Sequence, residues 1–118
     1  MTYEDFRQIA LAFPGVEEGR SYGKPAFLVK GKFLTRVRKE DQAAVFTGVH
    51  FDEREMLMEA EPKTFFFTAH YKDYPAVLAR LDDLHPGSAK NFIERRWREI
   101  APKAAVKAYD AEKAGAGA

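Results

Sequence analysis

Proline and glycine break this chain into short segments, which restricts it to brief helices and hairpins. Pro14-Gly15, Gly31, Pro62, Pro86 and Pro102 each fall beside an apolar run and end or bend it. Before the first break, Thr2 and Asp5 stand at capping spacing, and Phe6, Ile9, Ala10 and Phe13 recur on one helical face. Glu17 to Pro25 is rich in glycine and charge and reads as a loop. Ala26 to Lys30 and Phe33 to Arg38 read as strands joined by a tight hairpin at Lys30-Gly31-Lys32. A period of two places Leu28, Phe33, Thr35 and Val37 on one face, with Phe27, Val29, Leu34, Arg36 and Arg38 on the other.

A turn at Glu40-Asp41-Gln42 leads into a third strand, Ala43 to Val49. Asp52 stands as the N-cap of a second helix running to Ala60, with Glu53 and Glu55 opposing its positive dipole end. Pro62 stops that helix. Thr64 to Thr68 and Ala76 to Leu81 read as strands four and five. Pro86 opens a final helix whose apolar stripe is Ala89, Phe92, Ile93, Trp97, Ile100 and Ala101, and Pro102 closes it. Beyond Lys103 only Val106 and Tyr109 are bulky and apolar, so residues 104–118 are expected to be a frayed or disordered tail. The order α-β-β-β-α-β-β-α predicts one α+β domain over residues 1–103, a five-stranded antiparallel sheet layered with helices.

Whole-chain properties exclude several classes. At 118 residues the chain is the size of one domain. With no cysteine it has no disulfide framework, thiolate nucleophile or sulfur-ligated metal site. No apolar run approaches the roughly 20 residues that cross a bilayer. The acidic start Met1-Thr2-Tyr3-Glu4-Asp5 is unlike a signal peptide, and the expected location is cytoplasmic.

Charge is where the sequence points to function. Arg20, Lys24, Lys30, Lys32, Arg36, Arg38 and Lys39 fall within one stretch that contains no carboxylate, in a protein of formal charge +1. Tyr22, Phe27 and Phe33 are interleaved with them. Segregated positive charge attracts polyanions, so Arg20, Lys24, Lys30, Lys32, Arg36 and Arg38 are the candidate phosphate contacts of a hairpin acting as a wing. Lys90, Arg95, Arg96, Arg98 and Lys103 on the final helix would enlarge the patch if that helix shared the hairpin's face.

Several segments resemble the MmcQ/YjbR family of small bacterial proteins. They are Pro14-Gly15-Val16-Glu17-Glu18, then Tyr22-Gly23-Lys24-Pro25-Ala26-Phe27 with Gly31-Lys32-Phe33. Phe66-x-x-x-His70-Tyr71 and Trp97-Arg98-x-x-Ala101-Pro102-Lys103 complete the set, in order, across residues 2 to 103. The resemblance implies an α-β(3)-α-β(2)-α fold related to type III secretion chaperones, and a DNA-binding label. It brings no catalytic residues.

Other chemistry finds little support. His50-Phe51-Asp52 and His70-x-x-Asp73 lack the spacing of a metal set, so no metal or cofactor is expected. His85 before Pro86 reads as a helix cap, and Trp97, within its helix's stripe, as core. Ser21 and Ser88 are the only serines and neither sits in a nucleophile elbow; Gly15, Gly19 and Gly23 form no phosphate loop. No enzyme is read here. One small-ligand pocket is conceivable: Tyr22, Lys24, His70 and Tyr71 would suit a phosphate or carboxylate if the two loops that carry them converge. The alternative function is a protein-interaction or chaperone-like module acting as a homodimer. Its motive is the apolar surplus of Phe65-Phe66-Phe67 with Phe27, Val29 and Leu34, which asks for both sheet faces to be covered.

Overall fold

The structure, a computed structural model, describes residues 1–116. Helix α1 (Tyr3–Leu11) is followed by strands β1 (Val16–Ser21), β2 (Lys24–Val29), β3 (Lys32–Arg38) and β4 (Ala43–Thr47). Then come α2 (Phe51–Ala60), the two-residue strand β5 (Phe65–Phe66), a 3-10 turn (Ala69–Tyr71), β6 (Ala76–Arg80), α3 (Pro86–Ile100) and α4 (Lys103–Ala116). Among the described residues no helix is long and apolar enough to cross a membrane.

The strands form one antiparallel sheet in the order β1-β2-β3-β4-β6-β5. Two-residue turns join the first three. Tyr22-Gly23 and Lys30-Gly31 both have positive φ, at 51° and 77° and at 51° and 78°. That geometry matches the twist of the flanking strands, and glycine takes the second position without steric cost. Because the strands alternate in direction, the Tyr22-Gly23 turn and the β3–β4 turn lie at one end of the sheet. Lys30-Gly31 lies at the other.

α1 and α3 cover one face of the sheet, where Phe6, Phe13, Phe27, Phe46, Phe92 and Trp97 join the main core. The α1 capping box is made, with Asp5 N–H donating to Thr2 and Thr2 N–H donating to Asp5. His85 caps α3, its Nδ1 accepting from Gly87 N–H at 3.0 Å. Trp97 is fully buried, and its Nε1 donates to the Pro14 carbonyl at 2.9 Å. The opposite, open face carries a smaller cluster of Ala43, Val45 and Leu78 under Phe33, Phe66 and Tyr71.

Four expectations need correction. The sheet has six strands rather than five, because the supposed loop from Glu17 contains β1. β1 is an edge strand with charged or small residues on both faces, so it shows none of the alternation that betrays a half-buried strand. The face assignment of β3 is also altered, because its register against β2 shifts between Phe27↔Thr35 and Leu28↔Phe33. That bulge gives β3 one extra residue. Leu34, Thr35 and Val37 all turn to the helix side, and Arg36 and Arg38 turn to the open face with Phe33. His50, not Asp52, is the N-cap residue of α2, and its side chain makes no capping bond. Finally, Lys103–Ala116 is helical rather than frayed. Its Ala-rich sequence favours helix, and Ala105, Val106 and Tyr109 give it an apolar contact with the core. Residues 117–118 of the expected tail lie outside the described residues.

Candidate functional site

The open face holds a cleft of about 850 Å3 between the β1–β2 turn and the segment that links β5 to β6. Ser21, Tyr22 and Lys24 form one wall, and Thr68, Ala69, His70, Tyr71 and Tyr74 form the other. Phe33, Arg36, Arg38, Val45 and Thr47 lie on the sheet between them, with Glu40 entering from the β3–β4 turn. The pleat explains this set: Arg36 pairs with Val45 across β3 and β4, so the two side chains share a face. Tyr22, Lys24, His70 and Tyr71, drawn from loops far apart in sequence, all line this one concavity.

The cations of the cleft differ in how they are engaged. Arg36 makes no ion pair among the described residues, and its Nη2 is 3.5 Å from the Tyr71 hydroxyl. Arg38 is flanked by Glu40 at 3.6 Å and Asp41 at 3.3 Å, and Nη1 donates to Thr68 Oγ1 at 3.5 Å. The Glu40 carboxyl is held below the usual carboxylate range, first by its own backbone N–H and then by the charges of Arg38, Lys24 and Arg36. One carboxylate therefore feels three cations at once. Among the described residues, two buried side-chain polar atoms lack a hydrogen-bond partner, Arg38 Nε and Thr47 Oγ1. Both belong to residues of the cleft. Asp41 approaches Arg38 Nε closely enough for attraction but not in line for a hydrogen bond. Unmet hydrogen-bonding capacity inside a protein is uncommon, and here it is concentrated at one site.

The loop wall is fixed by a residue that sequence reasoning missed. Arg54 of α2 is only 6 % exposed. Its guanidinium donates to the carbonyls of Tyr71, Tyr74 and Ala76 from Nη1 (3.0, 3.2 and 3.2 Å) and to Lys72 from Nη2 (2.9 Å). It also lies over the rings of Phe51 and Phe67, 4.9 and 4.1 Å from their centroids. A planar fork of five donors can gather several carbonyls that a lysine cannot. The fixed loop holds His70 edge-on to Tyr71, centroids 4.7 Å apart, and stacked with Tyr74 at 6.1 Å. In sequence, Arg54 is one charge among the acids of Asp52-Glu53-Arg54-Glu55, and nothing marks it as buried.

The remaining predicted phosphate contacts lie elsewhere. Lys30 sits in the far turn and Lys32 at the start of β3, about 20 Å from Lys24 at strand rise. Arg20, facing the helix side beyond Val16 and Glu18, donates to the Gly23 carbonyl at 2.8 Å. The β2–β3 hairpin lies inside the sheet, flanked by β1 and β4, so it is no projecting wing. The α3 arginines are on the opposite face and already engaged: Arg95 with Glu53, Arg96 with Glu99, Arg98 with Glu94 and Asp110. Among the described residues no group of three or more His, Asp or Glu side chains is placed to hold a metal.

A profile of the YjbR family matches residues 11–99, from the end of α1 to the last turn of α3. The chain belongs to the YjbR family. The match takes in both walls and the floor of the cleft, and leaves α4 outside. Uncharacterized proteins of Mycobacterium bovis and Mycobacterium tuberculosis are 33 % identical to this YjbR protein over 79 residues. That alignment covers 64 % of this chain and 61 % of theirs, so the chain spans under two thirds of the relatives it matches. No solved structure matches the chain.

Proposed function

We propose that the protein is a non-catalytic nucleic-acid-binding module whose contact surface is the open-face cleft. The observation that carries this reading is the company around one concavity: Lys24, Arg36 and Arg38 together with Tyr22, Phe33, Tyr71 and Tyr74. Cations position a phosphate backbone, and aromatic rings accept bases without regard to sequence. Of the other predicted contacts, Lys30 and Lys32 lie in or beside the far turn and Arg20 faces the helix side, while the α3 arginines are already paired, so the footprint is short.

A short footprint has a measurable signature. If two or three phosphates are neutralised, log K falls with log salt at a slope between about −1.4 and −2.7, with affinity micromolar or weaker at physiological salt. Fluorescence anisotropy with a labelled oligonucleotide at several salt concentrations measures this. Lys24→Glu with Arg36→Glu is expected to weaken binding about tenfold or more, whereas Lys30→Glu with Lys32→Glu changes it little. Absence of binding at low salt, or a response flat in salt, would overturn the reading.

A further inference from the structure

We infer that the cleft selects single-stranded over duplex nucleic acid by seating a base against Tyr22. The inference rests on the nucleic-acid reading above and names the form of the ligand. It starts from a residue that the fold does not need. Tyr22 is fully exposed, with its ring packed on nothing. It nevertheless occupies the first position of a two-residue turn at φ 51°, where asparagine, aspartate or glycine is less costly. A strained aromatic that returns no packing energy points to a contact outside the fold.

The surroundings say what that contact is. Across the cleft, His70 stacks on Tyr74, which is itself 58 % exposed, and the Arg54 bonds keep that wall in place. Between the walls lies the Arg36 guanidinium, which makes no ion pair among the described residues and has only a 3.5 Å approach to the Tyr71 hydroxyl. The site thus offers ring faces on both sides and a guanidinium between them. A duplex hides its base faces in the stack and shows only edges in its grooves. A single strand presents the faces, which aromatic side chains take up whatever the base. A volume of about 850 Å3 is that of a small-molecule site, suited to an extruded base with its phosphate.

The test measures affinity for labelled oligo-dT and oligo-rU of about ten nucleotides, for a duplex of the same length, and for heparin, a polyanion without bases. The expected result is single-strand affinity at least about tenfold above duplex, with the DNA and RNA arms showing which sugar is preferred. Tyr22→Asn is expected to raise the melting temperature by a few degrees, since asparagine suits the turn, while lowering single-strand affinity at least about fivefold. Tyr22→Phe should restore it. Opposite signs in stability and binding cannot come from a merely structural tyrosine. Equal affinity for single strand and duplex, or an unchanged affinity in Tyr22→Asn, overturns the inference and leaves the nucleic-acid reading standing. Failure of every polyanion to bind at low salt overturns both.

Discussion

Arg54 shows how one side chain can shape a site it does not line. A buried guanidinium without a carboxylate partner is costly unless its donors are met. Four carbonyls meet them here, three within the loop of residues 71–74 and one at the start of β6. Arg54→Met keeps the apolar stem but leaves four acceptors without their donor. It is expected to cost about 3 kcal/mol, read as a lower urea midpoint. Arg54→Lys should recover only part of that, because an ammonium cannot span the same set. In both variants the His70 and Tyr74 rings should lose their fixed pose, seen as a collapse of their proton shifts toward unfolded values. Stability loss with those shifts unchanged would show that Arg54 supports α2 alone. Thr35 is the converse case: fully buried, it donates to the Val45 carbonyl at 2.8 Å and leaves nothing unmet.

At the scale of elements, the legible parts were helices with an apolar stripe and short apolar runs. α1 and α3 have such a stripe, β2, β4 and β6 are such runs, and the Gly31 turn was readable from residue chemistry. β1 was hidden because an edge strand made of charged residues looks like a loop. The bulge was hidden because inserting one residue leaves the apolar count of β3 unchanged while reversing its later half. That reversal decided the site, since it sends Arg36 and Arg38 to the cleft. The Tyr22, Lys24, His70 and Tyr71 grouping was conceivable from the two loops, but no spacing in the sequence encodes their meeting. α4 was hidden because it makes few apolar contacts, and the chief one is Tyr109. Its ring lies 5.0 Å from Trp97 and 5.9 Å from Phe13, and its hydroxyl donates to Glu94 at 3.3 Å. Removing residues from Lys103 onward should therefore destabilise the domain by about 2 kcal/mol and red-shift Trp97 fluorescence. Asp110 adds a pH dependence. Its carboxyl is held below the usual range by the hydrogen bond from Arg98, so the bond stabilises α4 above the unfolded pKa and is lost as pH falls through the folded value. Amide protection factors in α4 should fall below about pH 4 while those of α3 hold. An α4 that stays equally protected in acid would show that the Arg98–Asp110 pair contributes nothing to docking.

At the scale of the whole molecule, folding disperses what the sequence concentrates. The basic stretch from Arg20 to Lys39 is divided among the open face, the far turn and the helix side, so its cations do not form one continuous patch. The apolar surplus is divided in the same way. Phe27, Val29, Leu34 and Phe65 pack into the main core. Phe66 lies on the open face under the Arg80 guanidinium, 4.1 Å from its centroid, and Phe67 lies against Arg54. The large apolar side chains still exposed are Tyr3, Tyr22, Phe51, Met56, Phe67 and Tyr74, which belong to α1, the first turn, α2 and the β5–β6 segment. Phe51 and Phe67 meet at Arg54, but Tyr3 on α1 and Tyr22 in the first turn lie on other elements, and a stable homodimer buries about 800 Å2 on each partner around an apolar centre. The protein is therefore expected to run as a monomer near 13.4 kDa by size-exclusion chromatography with light scattering, at concentrations up to about 100 µM. A dimer would revive the protein-interaction alternative and assign the contact to the α2 surface, where Met56 is 66 % exposed and Phe51 lies beside Arg54. Met56→Glu would then split it, because an unpaired charge at the centre of an apolar contact is not tolerated. If Met56→Glu left that dimer intact, the contact would lie elsewhere, and the exposed rings of the cleft, Tyr22 and Tyr74, would be the next surface to test.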